Sequence, residues 1–290
     1  MIRVKIANTL YRINIPDHLA YGLIDGFICD DPRNEDVYID ITQDKMLIVP
    51  ETAVKEMDMP IHSLYADRDF KYYMQTKDEI VTHMKYSRDL TFFQININDA
   101  TNLDELTHRE TDQLSAILLD DMISKVVTMD AASKNGICLH CVALKHKGDA
   151  ILFSGKAKTG KTTHTNFWKE IFDGVEIING DNGLCFPEGD RPYVYGSPWA
   201  GTSDDCMNIK VPIRAIVFLE QAAENIIAKL DIPEAFMRLS ARCFMPAWDR
   251  ELTIKALDTA ESLVKRVDCY LLRCLPNHDA ARMAERELYR

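Results

Sequence analysis

Ala150-Ile-Leu-Phe-Ser154, Gly155-Lys-Ala-Lys-Thr-Gly-Lys-Thr162 and Thr163-His-Thr-Asn-Phe-Trp-Lys-Glu-Ile-Phe172 are consecutive, and their joint reading decides the fold. The first is a short unbroken apolar run, which predicts a buried strand. The last reads as a helix from Thr162 to about Phe172. The segment between them fits G-x-x-x-x-G-K-[ST], the phosphate-binding loop (Walker A) pattern. Each fixed position has a task. Gly155 and Gly160 are expected to take backbone angles that a side chain forbids. The loop then turns its N–H groups inward around a phosphate chain. Lys161 reaches the β- and γ-phosphates, and the Thr162 hydroxyl can coordinate Mg²⁺. The helix that follows points its positive end at the same anions. Strand, loop and helix in that order are the setting the motif requires. The expected nucleotide-binding residues are therefore Gly155, Lys156, Ala157, Lys158, Thr159, Gly160, Lys161, Thr162 and Thr163.

Downstream, Val175-Glu-Ile-Ile-Asn-Gly-Asp181 is an apolar strand with Asp181 at its carboxyl end. A phosphate-binding loop needs such a carboxylate, about 20 residues past its lysine, to hold the metal. Asp181 could also act as a base toward an acceptor hydroxyl, or simply shape the turn before Asn182-Gly183. Between Lys134 and Thr165 stand six lysines and one acidic residue, Asp149. That basic island suits a polyphosphate, although Lys145 and Lys147 also read as a solvated hairpin tip.

Upstream, Gly136–Leu144 predicts a strand joined to Ala150–Ser154 by the turn Lys145-His-Lys-Gly-Asp149. Cys138-Leu-His-Cys141 has the gap of a zinc knuckle. A structural zinc site needs a second pair at similar spacing, and none exists, so reduced cysteines on a strand are expected. Further on, Gly183–Phe186, Tyr193–Tyr195, Ile213–Leu219 and Val267–Leu275 read as strands. Pro233–Met245, Arg250–Lys265 and His278–Tyr289 read as helices. Strands and helices interleave, so residues 131–290 are expected to form an α/β domain.

Residues 1–130 read as a β-rich α+β region. Arg3–Ala7 and Leu10–Ile15 suggest a hairpin about Asn8-Thr9. Val37–Ile41, Met46–Val49, Phe70–Gln75, Ile80–Tyr86 and Thr91–Ile97 are further expected strands. From about Thr107 to Ala132, Leu114, Ile117, Leu118, Met122, Val126 and Met129 recur at helical spacing. The stop is expected near Ser133-Lys-Asn-Gly136, with Asn or Gly as the cap.

The chain has 290 residues and a net charge of −11, from 34 Lys and Arg against 45 Asp and Glu. An acidic surface argues against nucleic acid and against anionic lipid as partners. The first residues lack the apolar core of a signal peptide, and no apolar run reaches the length of a bilayer span. A soluble cytoplasmic protein is expected. Neither a His-Glu-x-x-His nor a Gly-x-Ser-x-Gly pattern occurs, so zinc protease and α/β-hydrolase chemistry lack support.

Leu139-His140, the Ala150–Ser154 strand, the phosphate-binding loop, Ile178-Asn-Gly-Asp181 and Tyr195-Gly-Ser-Pro-Trp-Ala-Gly201 together resemble the HPr kinase/phosphorylase-like kinases. These are distant relatives of ATP-dependent phosphoenolpyruvate carboxykinases. The resemblance runs from about Gly136 to Leu230, with an echo at Cys274-Leu-Pro-Asn-His-Asp279. It implies a carboxykinase-like α/β fold around the loop, ATP with Mg²⁺, and phosphoryl transfer to a hydroxyl of a protein serine or a small metabolite. By the same resemblance, Lys161 and Thr162 take the phosphate and metal roles, and Thr162 and Asp181 hold Mg²⁺. His140 matches a histidine on the strand before the loop strand, near the γ-phosphate; a structural role is its other reading. The segment 196–202 matches a loop at the mouth of the site.

Two departures stand out. The family often has Ser-Gly where this chain has Ala157-Lys158, and paired aspartates where this chain has Asp181 alone, followed by Asn182. Three functions therefore follow: a kinase with Asp181, His140 and Lys161 as catalytic residues, a nucleotide-binding regulatory module without turnover, or a carboxykinase-like small-molecule enzyme. Arg191 and Arg214 are the arginines that the last reading would draw on. Asp204-Asp205 could add metal carboxylates or be a solvated loop, and Trp199 could cover a ligand or anchor packing. The oligomeric state is open, a homo-oligomer included.

Overall fold

The computed structural model describes residues 1–16, 24–42, 47–77, 80–98, 108–203 and 205–290. The chain divides into two units. One comprises Met1–Asp130 with Pro246–Leu252, the other Ala131–Met245 with Thr253–Arg290. The expected boundary near residue 130 did not include this return of Pro246–Leu252. Among the described residues, no helix is long and apolar enough to cross a membrane.

The first unit is built on an eight-stranded sheet. Its strands are β1 (Ile2–Ile6), β2 (Thr9–Asn14), β3 (Val37–Thr42), β4 (Val54–Met59), β5 (His62–Ala66), β6 (Phe70–Lys77), β7 (Ile80–Ser87) and β8 (Phe92–Asn98), in the order β1-β2-β3-β8-β7-β6-β5-β4. The β2–β3 and β3–β8 pairs are parallel and the others antiparallel. Strand β3 alternates strictly, with Val37, Ile39 and Ile41 buried between half-buried neighbours, as a sheet with one core face requires. The β1–β2 turn is Ala7-Asn8 rather than Asn8-Thr9, because Ile6 already pairs with Thr9. No strand forms at Leu47–Val49, where Pro50 follows and Ile48 is 82% exposed; Met46 lies outside the described residues. The β4–β5 hairpin escaped the sequence reading because β4 buries nothing and so carries no apolar alternation.

Helix α1 (His108–Ser133) buries Met122, Val126 and Met129 as its periodicity predicts, but Ile117 is exposed. Thr107, its expected start, and the side chain of Leu114 lie outside the description. The helix ends with Asn135 in the left-handed region at φ 59°, and Gly136 N–H bonds back to the Ala131 carbonyl. Gly136 is needed for a different reason. A Cβ there would lie 2.3 Å from the Phe186 ring.

The second unit holds a nine-stranded sheet of β9 (Ile137–His146), β10 (Asp149–Ser154), β11 (Glu176–Asn179), β12 (Asn182–Phe186), β13 (Tyr193–Tyr195), β14 (Lys210–Gln221), β15 (Ile226–Lys229), β16 (Cys243–Phe244) and β17 (Asp268–Cys274). Its helices are α2 (Lys161–Ile171), α3 (Ile232–Ser240), α4 (Arg250–Arg266) and α5 (His278–Leu288), with the first turn of α4 belonging to the other unit. The architecture is thus mixed α/β with two large sheets. Strands β9 and β14 are long enough to serve two sets of neighbours. The first half of β9 pairs with β12 and its second half with β10 and β11. Strand β14 pairs with β13 at its start and runs parallel to β10 and β17 thereafter. Strand β10 is buried on both faces from Ala150 to Ser154, as its unbroken apolar sequence predicts.

Ile151, Phe153, Val217 and Leu272 form one core with Trp168 of α2 and Ala281, Ala284 and Leu288 of α5. Trp168 is fully buried, so truncating it to alanine would cost about 3–5 kcal/mol. The expected helix over Pro233–Met245 stops at Ser240. Asp231 caps its start, accepting from Glu234 N–H at 2.9 Å. Beyond it, Cys243 and Phe244 pair with Leu139 and Cys138, and His140 N–H bonds to the Arg242 carbonyl. Hydrogen bonds to β9 satisfy this backbone where helical bonds would otherwise have done so.

Candidate functional site

The Gly155–Gly160 loop leaves the carboxyl end of β10 and enters α2 at Lys161. Gly160 sits at φ 96°, where a side chain is strained. Gly155 does not, contrary to the sequence expectation. It is constrained by space, since a Cβ would meet Thr159 Oγ1 at 2.8 Å and the Leu219 carbonyl at 3.0 Å. Lys158 occupies the left-handed region at φ 65°. A left-handed lysine costs about 1–2 kcal/mol, a strain that a glycine at this position would relieve. Thr159 closes the loop on itself, its hydroxyl donating to the Lys156 carbonyl at 2.7 Å. Helix α2 has no side-chain cap and no acidic residue in its first turn, so its leading N–H groups remain available to an anion.

Three residues distant in sequence meet behind the loop. Lys161 Nζ lies 2.9 Å from His140 Nε2 and 3.3 Å from the Gly155 carbonyl. His140 Nδ1 lies 2.9 Å from Asp181 Oδ1. That contact is close but not aligned as a hydrogen bond, and Nδ1 is otherwise sealed without a partner. An ammonium can only donate, so Nε2 must accept and the neutral ring carries its proton on Nδ1, facing the carboxylate. Burial lowers the pKa of Lys161 from its ordinary value, and the Asp181 carboxylate partly offsets this.

Asp181 is held by an Asx turn. Asn179, fully buried, accepts from the Asp181 and Asn182 amides and donates to the Ser197 carbonyl at 2.8 Å. The turn at 200–203 presses on the same point. A Cβ on Gly180 would lie 1.9 Å from Ser203 Oγ. Lys161, Thr162, Thr163, Asp181 and Ala200–Ser203 therefore line a single pocket of about 310 Å³. Thr162 and Asp181 offer it hard oxygen donors, the type magnesium takes together with water and phosphate oxygens. Among the described residues there is no cluster of three His, Cys, Asp or Glu that could hold a metal by protein ligands alone.

Two further cavities flank the loop. One of about 730 Å³ is lined by Gly155–Thr159, Phe218–Gln221, Glu234, Met237, Arg238, Ala241 and Arg242. Arg238 is consumed there, bridging Glu220 at 2.8 Å and Glu234 at 2.9 Å. Arg242 has no carboxylate partner among the described residues, and its charge further lowers the Lys161 pKa. Sequence reasoning missed Arg242, which sits in no motif and arrives only through the pairing of β16 with β9. Arg191 and Arg214 are engaged elsewhere, on Asp149 and on the Leu288 carbonyl. The other cavity, about 410 Å³, lies between the loop and the segment Cys274–Pro276.

Of the remaining candidates, Cys138 and Cys141 are buried on β9 and form no disulfide, and burial raises the Cys141 pKa to about 12. Trp199 is half-buried in the 196–202 loop. Asp205 is exposed, and Asp204 lies outside the described residues.

No protein-family model matches the sequence, and no curated protein matches it. Among solved structures, the chain is similar to the Hpr(Ser) kinase/phosphatase from Coxiella burnetii, with 11% identity and a TM-score of 0.31, over 53% of this chain and 99% of that one. At that level of likeness the functional reading rests on the geometry of the site.

Proposed function

We propose that this chain is an ATP- and Mg²⁺-dependent kinase that transfers the γ-phosphoryl group to a hydroxyl of a protein serine or a small metabolite. The observation that carries the reading is the meeting of Lys161, His140 and Asp181 behind an uncapped helix start. The loop amides and Lys161 hold the β- and γ-phosphates. Mg²⁺ held by Thr162 and Asp181 would neutralise charge on the phosphate oxygens. Lys161 now rests on His140; a bound phosphate draws its ammonium away and leaves Nε2 free. His140 Nε2 then takes the acceptor proton as the acceptor oxygen bonds to the γ-phosphorus and the bond to the β-phosphate oxygen breaks, releasing ADP. Asp181 beside Nδ1 stabilises the imidazolium.

A nucleotide-binding regulatory module without turnover is the second reading. It is favoured by the single carboxylate, with Asn182 in place of a second aspartate. A carboxykinase-like enzyme needs an arginine cluster, and Arg242 is the one loop-side guanidinium left uncommitted.

The test is calorimetric titration of Mg·ATP into the wild type and Lys161→Ala, with ADP release assayed on the same samples. The kinase reading expects binding weakened at least about 100-fold by Lys161→Ala, and ADP release in the wild type. Binding without ADP release, even with cell extract added as a source of acceptors, favours the regulatory module. No binding sinks both.

A further inference from the structure

The 410 Å³ cavity shares Lys158, Gly160 and Thr163 with the pocket that holds Asp181, so a triphosphate lying on the loop with its terminal phosphate at Asp181 leads into it. Beyond these it is lined by Leu219, Ala222, Leu275 and Pro276 together with the polar Thr159 and Gln221. The larger cavity, which shares Lys158, Thr159, Leu219 and Gln221 with it, also carries Glu220, Glu234, Arg238 and Arg242, charges that suit a polar acceptor. The floor of the smaller cavity is laced rigid. Ala222 N–H bonds to the Cys274 carbonyl at 3.1 Å, and Asn225 accepts from Leu275 N–H at 2.8 Å while donating to Asn277, the cap of α5.

His164 also lines this cavity, with its side chain almost wholly buried between Phe153 and Trp168. Trp168 Nε1–H donates to His164 Nε2 at 3.1 Å. An indole nitrogen can only donate, so Nε2 is the acceptor and the neutral ring carries its hydrogen on Nδ1. Nδ1 has no partner among the described residues, and it is not among the ring nitrogens sealed from solvent, which are those of His83, His146 and Nδ1 of His140. The ring borders the cavity, with Nδ1 as its uncommitted nitrogen.

We infer that the cavity between the loop and Cys274–Pro276 receives the nucleoside of the triphosphate, and that His164, locked by Trp168 as a donor on Nδ1, hydrogen-bonds an acceptor atom of that nucleoside. The inference rests on the proposed nucleotide binding and adds the residue that distinguishes a nucleotide from a bare polyphosphate. A fixed donor in a dry pocket discriminates well, since a ligand without the matching acceptor leaves it unpaired.

The experiment measures binding of Mg·ATP and of inorganic tripolyphosphate to the wild type, His164→Phe, Ala222→Trp and Lys161→Ala. His164→Phe keeps a ring and removes the donor; it should weaken Mg·ATP about 5- to 20-fold and leave tripolyphosphate unchanged. Ala222→Trp fills the cavity from a half-buried position away from the loop and should show the same split, which keeps the test informative if His164→Phe folds poorly. Equal losses for both ligands, or undiminished Mg·ATP binding in Ala222→Trp, would overturn the nucleoside assignment. A wild type that binds neither ligand, or Lys161→Ala that binds tripolyphosphate normally, would instead fail the underlying nucleotide reading.

Discussion

The two sheets bury apolar surface in different ways. In the first unit, β3 alternates buried and half-buried residues, and two buried carboxylates are answered by specific partners. Asp130 takes hydrogen bonds from Thr9 and Tyr11, both at 2.8 Å, and Asp249 is paired with Lys71 at 2.7 Å and accepts from Tyr86 at 3.1 Å. In the second unit, β10 is buried on both sides and runs parallel to β14, so its carboxyl end opens onto a helix start. The polar groups there are only partly answered: Nδ1 of His140, Oδ1 of Asn182 and the guanidinium of Arg242 lack well-formed partners among the described residues. Satisfied buried charge marks a group used for stability. Partnerless buried polar atoms occur in the first unit too, Thr82 and His83 among them, but those beside the loop are the ones the proposed ligand would meet.

Breaking that contrast gives the largest effects. Asp181→Asn preserves shape but removes the charge beside His140. Phosphoryl transfer, measured by single-turnover ADP formation, should fall about 10³-fold, and Mg·ATP affinity should fall by a smaller factor because the proposed Mg²⁺ loses a charged ligand. If binding and turnover fall together, Asp181 serves the ligand rather than the chemistry. Asp249→Ala is the mirror experiment. It takes from the half-buried Lys71 ammonium its nearer carboxylate, leaving Glu56 at 3.9 Å, and removes the cap that accepts from Glu251 and Leu252 N–H groups. Urea unfolding should show a loss of about 3–5 kcal/mol, while the folded protein keeps its Mg·ATP affinity.

Acidification should weaken the second unit through His164. Its folded pKa of about 4 lies below the ordinary 6.5, so the unfolded chain takes up a proton that the folded chain refuses. The contribution is complete above pH 6.5 and is lost as pH falls toward 4, up to about 3 kcal/mol from the 2.5-unit difference. His164→Phe should flatten the denaturation midpoint plotted against pH over that window; an unchanged slope would assign the pH dependence elsewhere. The smallest effect concerns the loop itself. Lys158→Gly relieves the φ 65° strain and removes one charge facing the phosphates. A slightly higher melting temperature with Mg·ATP affinity reduced by about 2- to 5-fold is expected, the loss shrinking at high salt.

The loop, its strand and its helix were legible because each depends on neighbours in sequence. An unbroken apolar run, two glycines and a Lys-Thr pair act within about 20 residues, and local sterics and hydrogen bonds decide their conformation. Asp181 was legible for the same reason, as the end of an apolar strand. Other features were decided by tertiary structure alone. Gly155 is required by the Leu219 carbonyl, 64 positions away (219 − 155). Arg242 reaches the loop because two residues beside it prefer pairing with β9 to another helical turn. The proton on His164 is placed by Trp168, although the two lie one turn apart, because burial against the sheet excludes water as a competing partner. The return of Pro246–Leu252 to the first unit depends on buried partners such as Lys71, 178 positions from Asp249. Sequence by itself determined the strand, loop and helix around the local motif. Which distant groups share one dry pocket, and which of them are left without partners, depends on packing across the sheet, where the separation along the chain carries no information.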